Sequence, residues 1–328
     1  MRVSPAIKSR CGFTLLEVLV AMTILLSIVA MLGVIFNEVS RAWQRGEGRG
    51  ERRRSARSLS DFVAAELQGA LLPVETVSSN PNQGNLRFLI NPPASQVPDD
   101  YRNADAAFWQ APIATETSFG EVAEVGYFVK WMKADAASQP RPVLCRFFVN
   151  PSVKDSSGAL IQNPNFKIYD LTSASSWLSA GLLDSVAPAE KTSGYVGLFA
   201  ENVVGLWLRC FSLDGTELPK SPTGFDSRKG YSLVVKYTDG TGTQQSRTEQ
   251  RYLPAVVAVS IAQLDSRFAV RLDKAGVGDT VRTLSRSASD AADFVGKMQK
   301  AAENNLGLRS LLGGLRTYTT QAQLINGR

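Results

Sequence analysis

Between Gly12 and Phe36 the sequence runs apolar with one charged residue, Glu17, and it opens as Gly12-Phe13-Thr14-Leu15-Leu16-Glu17. As a helix rising about 1.5 Å per residue, residues 13–36 cover roughly 36 Å, enough to cross the ~30 Å hydrocarbon core of a bilayer with some tilt. Everything after this stretch is therefore expected to hang from one end of a membrane helix. Glu17 makes the segment more than an anchor. A carboxylate in a spanning helix costs about 2.5–3.5 kcal/mol even on mild insertion scales, so its retention points to a pairing group. The plainer alternative is a Glu17 that snorkels toward the headgroups.

A short basic leader (Arg2, Lys8, Arg10) precedes Gly12, and Phe13-Thr14-Leu15-Leu16-Glu17 leads directly into the apolar run. This arrangement resembles the class III signal of type IV prepilins and type II secretion pseudopilins. The resemblance implies cleavage between Gly12 and Phe13 by a prepilin peptidase and N-methylation of Phe13. It also implies a register role for Glu17 in assembly with other prepilin-like subunits through the N-terminal helix. In a core of apolar helices, the Glu17 carboxylate of one subunit can neutralise the Phe13 amine of its neighbour, a charge pairing strengthened by low dielectric. The helix-kinking proline usual in major pilins is missing, and the corresponding stretch reads Met31-Leu32-Gly33-Val34.

Orientation draws on two signals that disagree. Arg41, Arg45, Arg49, Arg52, Arg53, Arg54 and Arg57 outnumber the leader's basic residues, which by the positive-inside rule puts the C-terminal side in the cytoplasm. The processing signal works only with the leader inside. It sets the expectation adopted here: a single-pass protein of the inner membrane, leader in the cytoplasm and body in the periplasm, later assembled into a filament. Residues 49–57 read as a solvated, membrane-proximal face of the stalk, and no nucleic-acid partner is expected.

Three of the 36 basic residues sit in the leader, so its removal halves the formal net charge of +6, and no basic globular face is needed to explain the high pI. Histidine is absent. That removes Ser-His-Asp and Cys-His catalysis and histidine-based zinc sites. Acidic residues near turns (Asp99, Asp100, Asp105, Asp214, Glu217, Asp239) lack the spacing of a calcium loop and suit turn formation instead. No phosphate-binding loop, dinucleotide fingerprint or nucleophile elbow is present. No enzyme, cofactor or metal is expected. Cys11 falls in the leader, while Cys145 and Cys210 lie in strand-like segments of a compartment that permits disulfides, as two buried thiols or as one bridge.

Leu59, Phe62, Val63, Leu67, Ala70 and Leu71 recur at three- and four-residue steps, giving a stalk helix an apolar face that can lie on a sheet. Pro73 ends it. Strands are read at 86–90, 125–131, 143–149, 203–211, 231–237 and 255–264, with turns at Gln139-Pro140-Arg141-Pro142, Asp214-Gly215 and Asp239-Gly240-Thr241-Gly242, and a short helical patch at 177–183. One helix followed by a meandering sheet is the α+β logic. The expected organisation is a leader at 1–12, a transmembrane assembly helix at 13–36, a stalk helix at 37–72, a pilin-like antiparallel β-domain of five to seven strands at 73–265, and a C-terminal helical extension at 266–328. In that extension Val277, Val281, Leu284, Ala288, Ala291, Val295, Met298 and Ala302 form a heptad-like seam, and Leu308, Leu311, Leu312, Leu315, Tyr318 and Ala322 a second apolar set. It either docks on the chain's own sheet or serves as a partner-binding arm.

Residues 198–207 and 253–261 resemble the late strands of component J, the larger minor pseudopilin of type II secretion. Together with Phe108-Trp109-Gln110-Ala111-Pro112 they also resemble the prepilin-like Verru_Chthon cassette protein C family. The function implied is a minor prepilin-like subunit of a type IV pilus-like or type II secretion-like filament. A signal-anchored periplasmic binding protein outside any filament is the alternative, and a histidine-free enzyme a more distant one.

Overall fold

The computed structural model describes residues 57–71, 86–94, 96–133, 139–166, 178, 180–184, 196–218, 224–227, 229–273 and 276–327, together with Leu15, Leu19, Met22, Thr23, Leu25, Leu26, Val29 and Met31. The chain divides into two units, Met1–Ser55 and Ala56–Arg328. The eight described residues of the first are helical. Among the described residues no helix is long and apolar enough to cross a membrane, and most of the segment expected to do so, 13–36, lies outside them.

The second unit begins with helix α1, residues 57–68. Its periodicity translates directly into burial: Leu59, Val63, Ala64 and Leu67, and Ala70 just beyond, are covered, while Phe62 stays on the flank. Two antiparallel sheets follow. The first has the order β7 (Val196–Glu201), β4 (Arg141–Val149), β3 (Ala123–Met132), β2 (Ala107–Ala111), β1 (Leu89–Ile90), β9 (Phe225–Asp226). The second has the order β13 (Leu315–Gln323), β12 (Val256–Leu264), β8 (Val203–Phe211). Two separate ribbons complete the strands among the described residues, β5 (Ser152–Lys154) with β6 (Leu160–Gln162), and β10 (Tyr231–Thr238) with β11 (Gln244–Arg251).

One core lies among α1 and one face of each sheet, where Val63 and Leu67 of the helix share a cluster with Trp109, Tyr127, Leu206, Leu208 and Ile261. The other face of the six-stranded sheet buries Phe108, Phe128, Cys145, Phe147 and Val149 with Tyr101, Phe166 and Leu183, the last in the short helix α2 (Ala180–Asp184). The other face of the three-stranded sheet is covered by α3 (Ser266–Ala269), α4 (Val277–Ser287), α5 (Ala291–Ala302) and α6 (Leu306–Leu312), where Trp207 clusters with Phe294, Met298, Val281 and Leu311. Gly126 is needed at the crossing of β3 and β2, since a Cβ there would sit 2.2 Å from the Phe108 ring.

A polar junction ties the sheets together. Asn91 (φ 52°) and Ala104 (φ 71°) take left-handed backbone, an uncommon conformation for residues other than glycine. The bends are held by side chains: Asn91 Nδ2 donates to Asp105 Oδ1 at 2.7 Å, and Asp105 Oδ2 accepts from the Leu208 N–H at 2.8 Å. Asn103 Nδ2 donates to the Val204 carbonyl and to Ser285 Oγ, which links β8 to α4.

Three departures from the sequence reading have physical causes. The strands form two principal sheets and two ribbons instead of one meander, because β8 and β12 need apolar cover on both faces, from α1 and the larger sheet on one side and the helices on the other. The heptad-like seam is two helices. It breaks at Ala288, whose extended backbone (ψ 143°) ends α4, after which Asp290 caps α5 by accepting from the Asp293 N–H. Finally, the helical extension does not continue past Leu312: residues 315–323 are strand β13, paired along its length with β12. Leu315, Tyr318 and Ala322 have helical spacing, but Thr317, Thr319 and Thr320 between them are β-branched and the pleat of β12 decides.

Candidate functional site

Gly12, Phe13 and Glu17, the residues expected to carry cleavage, methylation and register, lie outside the described residues. The eight described residues beside them are helical and exposed, and all but Thr23 are apolar.

In the second unit a charged cluster gathers around the largely covered Glu66 side chain of α1. Arg146 of β4 approaches it with two nitrogens, Nη2 to Oε1 at 2.5 Å and Nε to Oε2 at 3.2 Å. Tyr127 of β3 donates its hydroxyl to Oε2 at 2.5 Å, and Trp109 Nε1 donates to the Glu66 carbonyl at 3.3 Å. Burial, and then the Glu66 carboxylate, push the Tyr127 phenol above its ordinary value, with Arg146 opposing. Burial pulls the Arg146 guanidinium down, and hydrogen bonding and charge from Glu66 override it, leaving its pKa raised. The guanidinium also lies over the Phe148 ring, 4.1 Å from its centre. This cluster clamps α1 to the middle of the six-stranded sheet. Sequence reasoning missed it: Glu66 sits in an ordinary helical stretch, and its partners are 61 and 80 positions away.

Cys145 and Cys210 are both buried and lie in different cores. Cys145, on β4, belongs to the core on the far side of the six-stranded sheet, and Cys210, on β8, to the core under α1. Burial pushes the Cys145 thiol up to about 12, with Lys130 pulling the other way. Of the acidic residues read as turn formers, Asp214 and Asp239, like Asp155, each accept from the backbone N–H two residues on, whereas Asp105 joins the sheets and Glu217 pairs with Arg209. Hydroxyl donors first (Ser157, Ser212 and Thr241 respectively), and then backbone N–H groups, hold these carboxyls below the usual range. Among the described residues no group of three or more Cys, Asp or Glu could hold a metal ion.

Residues 7–33 match a family model described as the prokaryotic N-terminal methylation motif. The matched span contains Gly12, Phe13 and Glu17 and all eight described residues of the first unit. No curated protein matches the chain, and no solved structure does. The motif indicates a prepilin-like protein of the type IV pilin and pseudopilin kind, with a membrane-anchored N-terminus. Members bearing it are structural subunits processed by prepilin peptidase and assembled with other pilin-like subunits.

Proposed function

We propose that this chain is a minor prepilin-like subunit of a type IV pilus-like or type II secretion-like filament. It is cut between Gly12 and Phe13, methylated on Phe13, and held in the inner membrane by residues 13–36 with its body in the periplasm. It enters the filament through that helix. Glu17 sets register by accepting the Phe13 ammonium of a neighbour, which relieves the cost of both charges within an apolar helix bundle. The observation that carries the reading is the motif match over residues 7–33, within which every described residue is helical and all but Thr23 are apolar. The α+β body with a helix laid on antiparallel strands supports it, as does the likeness of residues 198–207 and 253–261 to component J.

A tip position follows from bulk. The layer of α3 to α6 on the outer face of the smaller sheet adds thickness where a repeating subunit would need room for neighbours above and below. Mass spectrometry of the purified chain tests the reading: the mature protein begins at N-methylated Phe13, and replacing Gly12 with a bulky residue leaves the uncut precursor. A wild-type chain that retains residues 1–12 overturns it. Quantitative proteomics of isolated filaments tests the tip, with this chain expected far below the major subunit.

A further inference from the structure

Asn326-Gly327 is the one Asn-Gly pair in the chain. At such a pair the backbone can attack its own side chain, because glycine has no Cβ to hold its nitrogen away from the preceding carboxamide. Here packing fixes both residues. They belong to a single 3₁₀ turn, Ile325–Gly327, just past β13. Asn326 Nδ2 donates to the Ala70 carbonyl at 3.0 Å, which ties the turn to the residues that follow α1. The Gly327 N–H donates to the Leu324 carbonyl at 3.0 Å, and the N–H of the fully buried Leu324 donates to the Ala255 carbonyl at 3.0 Å. A Cβ at position 327 would lie 2.2 Å from the Pro254 carbonyl oxygen, so the seat admits only glycine. The tether thus calls for an amide donor and the seat for a glycine, and their succession makes the chain reactive toward itself.

We propose that Asn326 is a site of self-deamidation, blocked while the turn is seated and open to reaction once it lifts, so that it acts as a one-way latch between the end of β13 and α1. The Gly327 backbone nitrogen attacks Asn326 Cγ. A bond forms between that nitrogen and Cγ, the Cγ–Nδ2 bond breaks, and Nδ2 leaves as ammonia, taking the proton of the Gly327 N–H. The cyclic imide then adds one water and opens at either carbonyl, leaving aspartate or isoaspartate at position 326. The step needs no oxidant and no cofactor. In the seated turn both reacting groups are engaged elsewhere, the Gly327 N–H with Leu324 and the Asn326 amide with Ala70. The 3₁₀ backbone also aims the Gly327 N–H back along the turn, toward the Leu324 carbonyl and away from the side chain that follows it.

Either product hinders the return. An ionised carboxylate has no proton to give the Ala70 carbonyl, so two acceptors face each other where a donor and an acceptor stood. Isoaspartate also lengthens the main chain by one atom, directly before a glycine that has no clearance beneath Pro254. The β12–β13 ladder, which ends at Gln323, is not part of the reaction. What is lost is the hold of residues 324–327 on Ala70 and Ala255, and the loss is permanent.

The test uses the full chain purified in detergent micelles and held in mildly alkaline buffer, with and without guanidinium chloride. After acidic quenching and tryptic digestion, the peptide Thr317–Arg328 is followed by liquid chromatography and mass spectrometry, which separate the asparagine, aspartate and isoaspartate forms. Conversion at 326 is expected in the denatured chain, and at least about tenfold more slowly in the folded one, where only the opened fraction reacts. Asn326→Asp, the product made directly, is expected to raise hydrogen exchange at the Leu324 and Gly327 amides at least about tenfold, since a tether becomes a pair of opposed acceptors. No conversion at 326 in the denatured chain, equal rates in the folded and denatured chains, or unchanged exchange in Asn326→Asp overturns the proposal. Processing at Gly12 does not enter these measurements, so failure here leaves the prepilin-like reading standing.

Discussion

Two helical layers hold this body together, and they are fastened by different means. On the six-stranded sheet, α1 adds to its apolar stripe a charged cluster in which Glu66 meets Arg146 and Tyr127. On the three-stranded sheet, α4 to α6 bind through ring and aliphatic packing around Trp207 and Phe294, whose centres are 5.4 Å apart, with polar footholds that include Ser285, its carbonyl and hydroxyl accepting from Trp207 and Asn103, Asp290, 3.4 Å from Arg209, and Arg286, which donates to the Asp99 carbonyl at 2.8 Å. Apolar packing tolerates substitutions that conserve volume. A bidentate pair does not, because a small shift breaks its geometry. The difference is that α1, the helix connecting the body to whatever lies before residue 56, is fixed in register, while the C-terminal layer is fixed mainly by shape.

The largest effect is expected where shape carries most of the layer. Phe294→Ala removes a fully buried ring and should lower unfolding stability by about 4 kcal/mol, measured by chemical denaturation. A loss under about 1 kcal/mol would show that the C-terminal helices are held by something other than this core. Next comes Glu66→Ala, which strands the Arg146 guanidinium and the Tyr127 hydroxyl in a mostly buried site and should cost about 3 kcal/mol. The sharper form is a double-mutant cycle with Arg146→Met: if the clamp is one unit, the second substitution adds little, and simple additivity would break the contrast between the layers. Smallest is Asp290→Ala, expected to cost about 1 kcal/mol, the worth of a helix cap. A cost near that of Glu66→Ala would mean that the C-terminal layer, too, hangs on charge.

The sequence was most readable where one residue set repeats against one surface. Leu59, Val63 and Leu67 announce the buried face of α1, and the alternation around Val125, Tyr127 and Val129 announces β3. The pattern at residues 12–17 lies within the span that matches the methylation motif, a likeness of linear spacing that does not pass through the fold. Residues joined only by tertiary folding left no trace in the pattern. Glu66 looks like any solvent-facing helical glutamate until Tyr127 and Arg146 arrive from elsewhere in the chain. Strand β13 defeated periodicity because its few apolar residues, Leu315, Tyr318 and Ala322, keep helical spacing while Leu315 and Ala322 join different cores, and β11, Gln244–Arg251, is so polar that neither period shows. The split at Ala288–Asp290 was hidden because a heptad-like seam continues through a short break without losing step.

The late residues of the chain reach back to its early ones. Thr320 Oγ1 donates to Asp61 Oδ1 across 259 positions, and Asn326 Nδ2 donates to the Ala70 carbonyl across 256. Separations of that size make closure slow, because the entropy of a long loop is lost before the contacts it allows are gained. Synthesis runs from the other end, so α1 waits for its final neighbours until residues 315–326 have been made. During that interval β12 keeps an open edge and α1 an incomplete seat. A stop codon placed anywhere before 315 would therefore yield a chain that keeps its N-terminal signal while its body stays unfinished, a species suited to capture by chaperones and proteases instead of assembly.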